Sequence, residues 1–366
     1  MKLFNFPYVI KKEILDHLWI NHIFFLSLCS KNTKNLIIRM QKYQLQKIER
    51  VNYCITGNNM WIIVKMVSSA LEDDPMWLFR TPNEFRGRCK CCKEATTEEV
   101  RVNELGTPID FFRPRTAQSN LHPKYSSDNV ESIIETIHDH LYELLGDRTE
   151  YWLWSTFRGT QFLPSIRNIR MLDILEGDEL ASTKINEFLA QSSCLEYFSW
   201  DEPHQNDMRF EKNSKVYEVD TLNVSQSRFF ATDVLKYFNG RHAFLSSASI
   251  QAPNVIQFLD AWRSGEKFRN LEVIIIDQCS NVSEIFYSIE FKELYSSVVY
   301  SFSRKQRFEN SPRESCMFKT QMYMVRQSDG RVASVLFQPS KVSMGVWDMT
   351  ESEFLEKFDP HRRVRY

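Results

Sequence analysis

Between Phe6 and Leu18 the chain reads FPYVIKKEILDHL, with Ile10, Ile14 and Leu18 four residues apart and Leu15 widening the stripe. That spacing predicts an amphipathic helix, and Pro7 suits its first turn, where a missing N–H costs nothing. A second apolar run, Phe24–Lys31, follows a break at 19–22, and a third, from Leu36 to about Lys47, continues as a helix. Three short helices within residues 1–48 are too small to cover their own apolar side chains. Each buried Ile, Leu or Phe contributes on the order of 1.5–3 kcal/mol, so the stripe must meet another surface, either the rest of this chain or a separate protein.

Further along, Glu49–Ile55 and Met60–Met66 are β-favouring runs flanking Thr56-Gly-Asn-Asn59, which predicts a hairpin. From Asp73 to about Asn129 the chain is polar, rich in proline and without period, and reads as an irregular linker. Asn129–Gly146 predicts a helix, with Val130, Ile133, Ile134, Ile137, Leu141, Leu144 and Leu145 on one side. Beyond it an apolar-x-x-apolar-x-apolar frame starts at Ile169, Leu195, Val219, Leu245 and Leu271, at intervals of 26, 24, 26 and 26 residues. Helical patterns fill most of the intervals. Such a period is that of a leucine-rich-repeat-like arc, in which each unit buries the apolar face of its neighbour. An ordinary α/β domain with evenly spaced strands gives the same pattern. In an arc, Tyr197, Ser199, Asp201, Thr221, Asn223, Ser225, Ser247, Ser249, Gln251 and Asp277 fall on the concave strip, a mostly small and polar surface suited to binding a protein substrate.

Composition narrows the class. The 366 residues suffice for about two to three domains, and 43% hydrophobic with 25% charged residues is ordinary for a globular protein. A formal charge of −1 argues against a nucleic-acid stripe over the whole protein. No apolar run approaches the roughly 20 residues needed to cross a bilayer, and Pro7 with Lys11-Lys12-Glu13 breaks any signal-peptide core. Neither nucleic acid nor membrane is an expected partner. Eight scattered cysteines read as reduced thiols of a cytoplasmic or nuclear protein, so the sequons at Asn223 and Asn281 carry little weight.

Catalytic patterns are wanting. The sequence has no G-x-S-x-G, P-loop or dinucleotide fingerprint, and with only 10 glycines it is poor in the residue that builds phosphate cradles. Cys89, Cys91 and Cys92 form the one tempting metal cluster, but no second thiol pair follows at zinc-ribbon spacing; Cys54 or His122 could complete a tetrahedron, and a solvated loop is the default. His138 and His140 lie two apart on one helix and so point to different sides. The basic end, His361–Arg365, reads as a frayed tail. No cofactor and no catalytic residue is expected.

Two resemblances sharpen this reading. Pro7-x-x-Ile10-x-x-x-Ile14-Leu15-x-x-Leu18, followed by Phe25-Leu-Ser-Leu-Cys-Ser-Lys31, resembles the F-box, with Phe6 and Cys29 replacing the usual leucine and valine. The resemblance implies docking onto the Skp1 adaptor, and through it a cullin, by Phe6, Pro7, Ile10, Ile14, Leu15, Leu18, Phe25, Leu28 and Cys29. Phe258-Leu-Asp-Ala-Trp262, Gly265, Asn270–Ile276, Val325–Val335 and Val342–Trp347 look like the nematode type 2 F-box-associated domain, with Ser334 where threonine is usual. Together they imply a non-catalytic substrate receptor of an E3 ubiquitin ligase, with a scaffold acting outside a ligase as the alternative. The expected fold is α+β or α/β: an F-box at 1–48, a hairpin and irregular linker at 49–128, leucine-rich-repeat-like α/β units at 129–300, and a β-rich end at 301–366.

Overall fold

The computed structural model describes residues 3–56, 59–66, 76–80, 97–102, 109–114, 122–123, 130–156, 163–175, 181–192, 195–201, 209–226, 228–246, 249–303 and 315–359. Two compact units emerge. The first comprises residues 1–175 with 187–195, and the second 176–186 with 196–366. This division does not follow the four expected segments, because the N-terminal helices pack into the first unit and the expected repeat region is cut between its strands.

In the first unit, α1 (Tyr8–Asp16), α2 (Ile20–Ser27), α3 (Lys31–Met40) and α4 (Lys42–Leu45) form the N-terminal cluster. The expected hairpin is present as β1 (Ile48–Thr56) and β2 (Asn59–Met66), paired antiparallel with Tyr53 opposite Ile62. The region expected to be irregular holds four strands among its described residues: β3 (Met76–Arg80), which pairs with β2, and β4 (Thr97–Val102), β5 (Ile109–Pro114) and β6 (His122–Pro123), which form a small separate sheet. Strand β4, TEEVRV, is too polar to stand out, whereas β3, MWLFR, and β5, IDFFRP, are short apolar runs that the polar, proline-rich stretches around them masked. Helix α5 (Val130–Leu145) matches the sequence reading and ends at Gly146, whose φ of +75° lies in the left-handed region. Strands β7 (Glu150–Thr156) and β8 (Ile169–Leu175) run parallel to β1, giving the order β3-β2-β1-β7-β8. Of helix α6 (Ala181–Gln191), residues 187–191 belong to this unit and residues 181–186 to the second.

The second unit opens with four parallel strands in sequential order: β9 (Tyr197–Asp201), β10 (Thr221–Ser225), β11 (His242–Ser246) and β12 (Val273–Asp277). Helices α7 (Arg228–Tyr237) and α8 (Ala252–Ser264) make the returns after β10 and β11. The register sets Leu222, Ala243 and Ile274 side by side, as it does Val224, Leu245 and Ile276. The fourth repeat frame, read as Leu245/Ala248/Ile250, is therefore displaced. Weakly apolar Ala243 occupies the place assigned to Ala248, and equivalent positions are 21 and then 31 residues apart. Ser249 lies beyond the strand at φ +46° and Gln251 caps α8, so neither stands on the strip; Ser247 lies outside the described residues.

After β12 come α9 (Val282–Ser288), the antiparallel strands β13 (Lys292–Ser303), β14 (Ser315–Val325), β15 (Arg331–Gln338) and β16 (Lys341–Thr350), and α10 (Glu351–Phe358). Strand β16 pairs antiparallel with β12. The β13–β14 ribbon then covers the strip side of β11 and β12: Tyr300 and Phe318 pack on Phe244 and Val273, and the Phe302 ring lies 4.5 Å from that of His242. Gly345 makes this possible, since a Cβ there would sit 2.4 Å from the Tyr300 ring. This half of the strip is core rather than open surface, a consequence of a long-range fold-back that local periodicity does not record.

The two segments that carry the second resemblance meet in space. Arg326, only 1% exposed, donates to both carboxylate oxygens of Asp329 at 2.9 and 2.7 Å and to the carbonyls of Phe268 and Arg269, with its guanidinium 5.3 Å from the centre of the Trp262 ring. Gly265 ends α8 at φ +77° and abuts Ser328, leaving no room for a Cβ. Arg326→Ala removes a donor from both carbonyls and the partner of the Asp329 carboxylate, and a single ammonium cannot reproduce the fork. Both Arg326→Ala and Arg326→Lys are expected to destabilise the protein by about 2–3 kcal/mol in urea unfolding; a Lys variant as stable as wild type would contradict this role.

Candidate adaptor-docking surface

The N-terminal helices take their ends from local signals. Pro7 stands at the N-cap of α1, and the Ser30 hydroxyl caps α3 by accepting from Thr33 N–H at 3.1 Å. On the inner side, Leu15, Ile20, Ile23, Phe24, Leu28 and Ile37 are buried. Asp16 accepts from Lys12 at 2.6 Å and from Gln41 at 2.7 Å, tying the end of α1 to the start of α4. These two bonds hold its carboxyl below the usual range.

Helix α5 is the seat for this cluster. His140 Nε2 lies 2.7 Å from the Ser27 hydroxyl, its ring meets Phe24 edge-on at 5.6 Å, and Lys34 pairs with Glu143. Two residues away, His138 turns to the sheet, where Nδ1 meets the Tyr53 hydroxyl at 2.9 Å and the ring packs edge-on against Tyr151. The two histidines do face different sides, as their spacing requires, and each is a structural bridge. Burial pushes both imidazoles down to about 4, helped for His140 by Lys34 and opposed by Glu143.

With its inner face on α5, the cluster leaves an apolar ridge uncovered. Val9 is 70% exposed and Trp19 68%, and Phe4, Phe6, Tyr8 and Ile10 are exposed with them. Of the residues expected to dock an adaptor, Phe6, Pro7, Ile10 and Cys29 are exposed, and Ile14, Leu18 and Phe25 are half-buried. Leu15 and Leu28 are buried inside the unit, so they brace the helices and do not present a surface. Phe4, Tyr8, Val9 and Trp19 were missed; Val9 sits beside the i, i+4 stripe, and Trp19 sits in the break after α1, where periodicity says nothing. An indentation of about 270 Å³ beside Trp19 is lined by Asp16, His17, Ile20, Ile23, Gln44 and Met66, among others.

In the second unit, several of the remaining strip residues have polar partners within the chain. Asn223 donates to Ser199 at 3.2 Å, Asp201 accepts from Gln226 at 3.3 Å, and Asp277 pairs with Lys341 at 3.0 Å. Tyr197 and Ser199 are buried, while Asp201, Thr221, Asn223, Ser225 and Asp277 are half-buried. Cys89, Cys91 and Cys92 lie outside the described residues, and among the described residues no group of three or more His, Cys, Asp or Glu is placed to hold a metal ion. No helix among them is long and apolar enough to cross a membrane.

Comparison with known proteins adds one finding. The F-box domain model matches residues 3–45, so the helices bearing the ridge form an F-box domain. No curated protein and no solved structure matches the chain.

The buried histidines set a pH dependence. Folding holds both rings neutral, whereas the unfolded chain takes up their protons near pH 6.5. Their contribution to stability is therefore complete above about pH 6.5 and is lost as pH falls toward about 4, at about 1.4 kcal/mol per pH unit for each ring. Urea unfolding at a series of pH values should show this slope, to which His242, also lowered by burial, adds, and His140→Gln should remove about half of the part due to His138 and His140.

Proposed function

We propose that the chain is the substrate-recognition subunit of a Skp1–cullin–F-box E3 ubiquitin ligase. An F-box domain implies partnership with Skp1 and a cullin, and the observation that carries the reading is that this F-box domain presents an open apolar ridge. In this reading Phe6, Pro7, Ile10, Ile14, Leu18, Phe25 and Cys29, together with Tyr8, Val9 and Trp19, meet the adaptor. Exposed Lys31, Arg39 and Lys42 on the adjoining helices suit an acidic adaptor face.

The second unit would hold the protein to be modified. Its likeness to a nematode type 2 F-box-associated domain is supported by the packing of the two resembling segments around Arg326 and Trp262. Sequential parallel strands with helical returns support a leucine-rich-repeat-like stack of irregular period. Such a subunit does no bond chemistry of its own. It accelerates ubiquitin transfer by raising the effective concentration of a lysine-bearing substrate near the charged enzyme.

Val9 and Ile10 are exposed, so charging them leaves the fold intact and places unpaired carboxylates in the docked interface. Co-purification with Skp1 is expected for wild type and to fall by about a hundredfold for the Val9→Asp, Ile10→Asp double variant. Full binding by a folded double variant would contradict the proposal. Skp1 binding without any recovery of cullin would favour a scaffold acting outside a ligase.

A further inference from the structure

The second unit carries a groove that none of the functions above uses. Helix α9, the end of β15 and the turn to β16 flank an open groove of about 510 Å³, lined by Val282, Ser283, Phe286, Tyr287, Phe337 and Pro339. Three of these residues are aromatic. The Phe286 ring stands at 81° to Tyr287 with centroids 5.3 Å apart, and at 84° to Phe337 with centroids 6.1 Å apart. Phe291 braces the floor, stacked on Phe286 and edge-on to Phe337 at 5.2 Å. Phe286 remains 39% exposed and Tyr287 84% exposed. A monomer gains nothing from leaving two adjacent rings of one short helix in water.

Among the described residues, two unpaired charges adjoin the groove-lining segments, and both are acidic. Glu284 precedes Tyr287 by one helical turn, Glu290 adjoins Phe291, and both are exposed. Neither has an ion-pair partner among the described residues. The nearby lysines are committed elsewhere: Lys341 pairs with Asp277 at 3.0 Å and Lys292 with Glu351 at 2.8 Å. The exposed faces of Phe286 and Tyr287 carry negative potential, and the two neighbouring carboxylates add to it.

We propose that this groove binds a basic segment of a partner protein, seating an arginine or lysine side chain against the faces of Phe286, Tyr287 and Phe337 with Glu284 and Glu290 at its rim. Reading that segment as part of a ubiquitylation substrate rests on the function proposed above; the binding itself rests on the groove alone.

Two fluorescent twelve-residue peptides with the same apolar residues, one carrying four arginines and the other four glutamates, test this by anisotropy with the full chain. The arginine peptide is expected to bind, more weakly as salt rises, and the glutamate peptide to bind at least about tenfold more weakly. Tyr287→Ala, and separately Glu284→Lys with Glu290→Lys, should each weaken the arginine peptide about tenfold, while Skp1 co-purification is unchanged. Equal binding of the two peptides, no binding of either, or no effect of the groove variants would overturn the proposal. So would a tenfold gain in peptide affinity on deleting residues 360–366, which would assign the groove to the chain's own basic end. Loss of Skp1 binding by the Val9 and Ile10 variant with peptide binding intact separates failure of one site from failure of the other.

Discussion

The seating of α2 and α3 on α5 decides what the N-terminal helices can do. Phe24 and Ser27 turn inward to the His140 ring, and Lys34 reaches Glu143, so this face of the cluster is spent on the chain's own helix. A helix has only one circumference. Once one face is committed inward, the side chains of α1 and the segment before it have no internal surface left to cover them. Phe4, Tyr8, Val9 and Trp19 are therefore exposed because of where α5 lies, and their exposure is a consequence of packing elsewhere.

The same contact gives the docking surface a fixed mount within its unit. Helix α5 is tied to the sheet through His138, Tyr53 and Tyr151, and to the F-box domain through His140, so one helix links the sheet to the docking helices by two buried rings. Keeping both rings neutral is the condition for this arrangement, and burial supplies it. In the receptor role proposed above, a mount of this kind matters more than any reactive group, because effective concentration depends on how narrowly the bound partner is held.

Much of this was legible in the sequence, and the failures have definite causes. The i, i+4 stripe of α1, the β1–β2 hairpin and the run of α5 up to Gly146 all followed from local patterns, and local patterns are what those elements depend on. Which apolar residues stay uncovered is not local: Leu15 and Val9 share one helix and have opposite fates. The register of β11 was misread because Ala243, a weak apolar signal, holds a core position, while Leu245 was strong enough to be taken for the start of the frame. Nor does any periodicity announce that β13 and β14 return over β11 and β12; only Gly345, with no room for a Cβ beneath Tyr300, hints at it. The groove at α9 escaped because its aromatic walls come from segments some fifty residues apart.

The most direct test of the central claim is covalent footprinting of Tyr8 and Trp19 in the purified chain, alone and with purified Skp1, using Tyr287 as an internal reference. Heavy labelling of all three residues in the free chain, with protection of Tyr8 and Trp19 alone on adding Skp1, is the predicted result. Tyr8 and Trp19 already protected in the free chain, or labelled equally with and without Skp1, would contradict it.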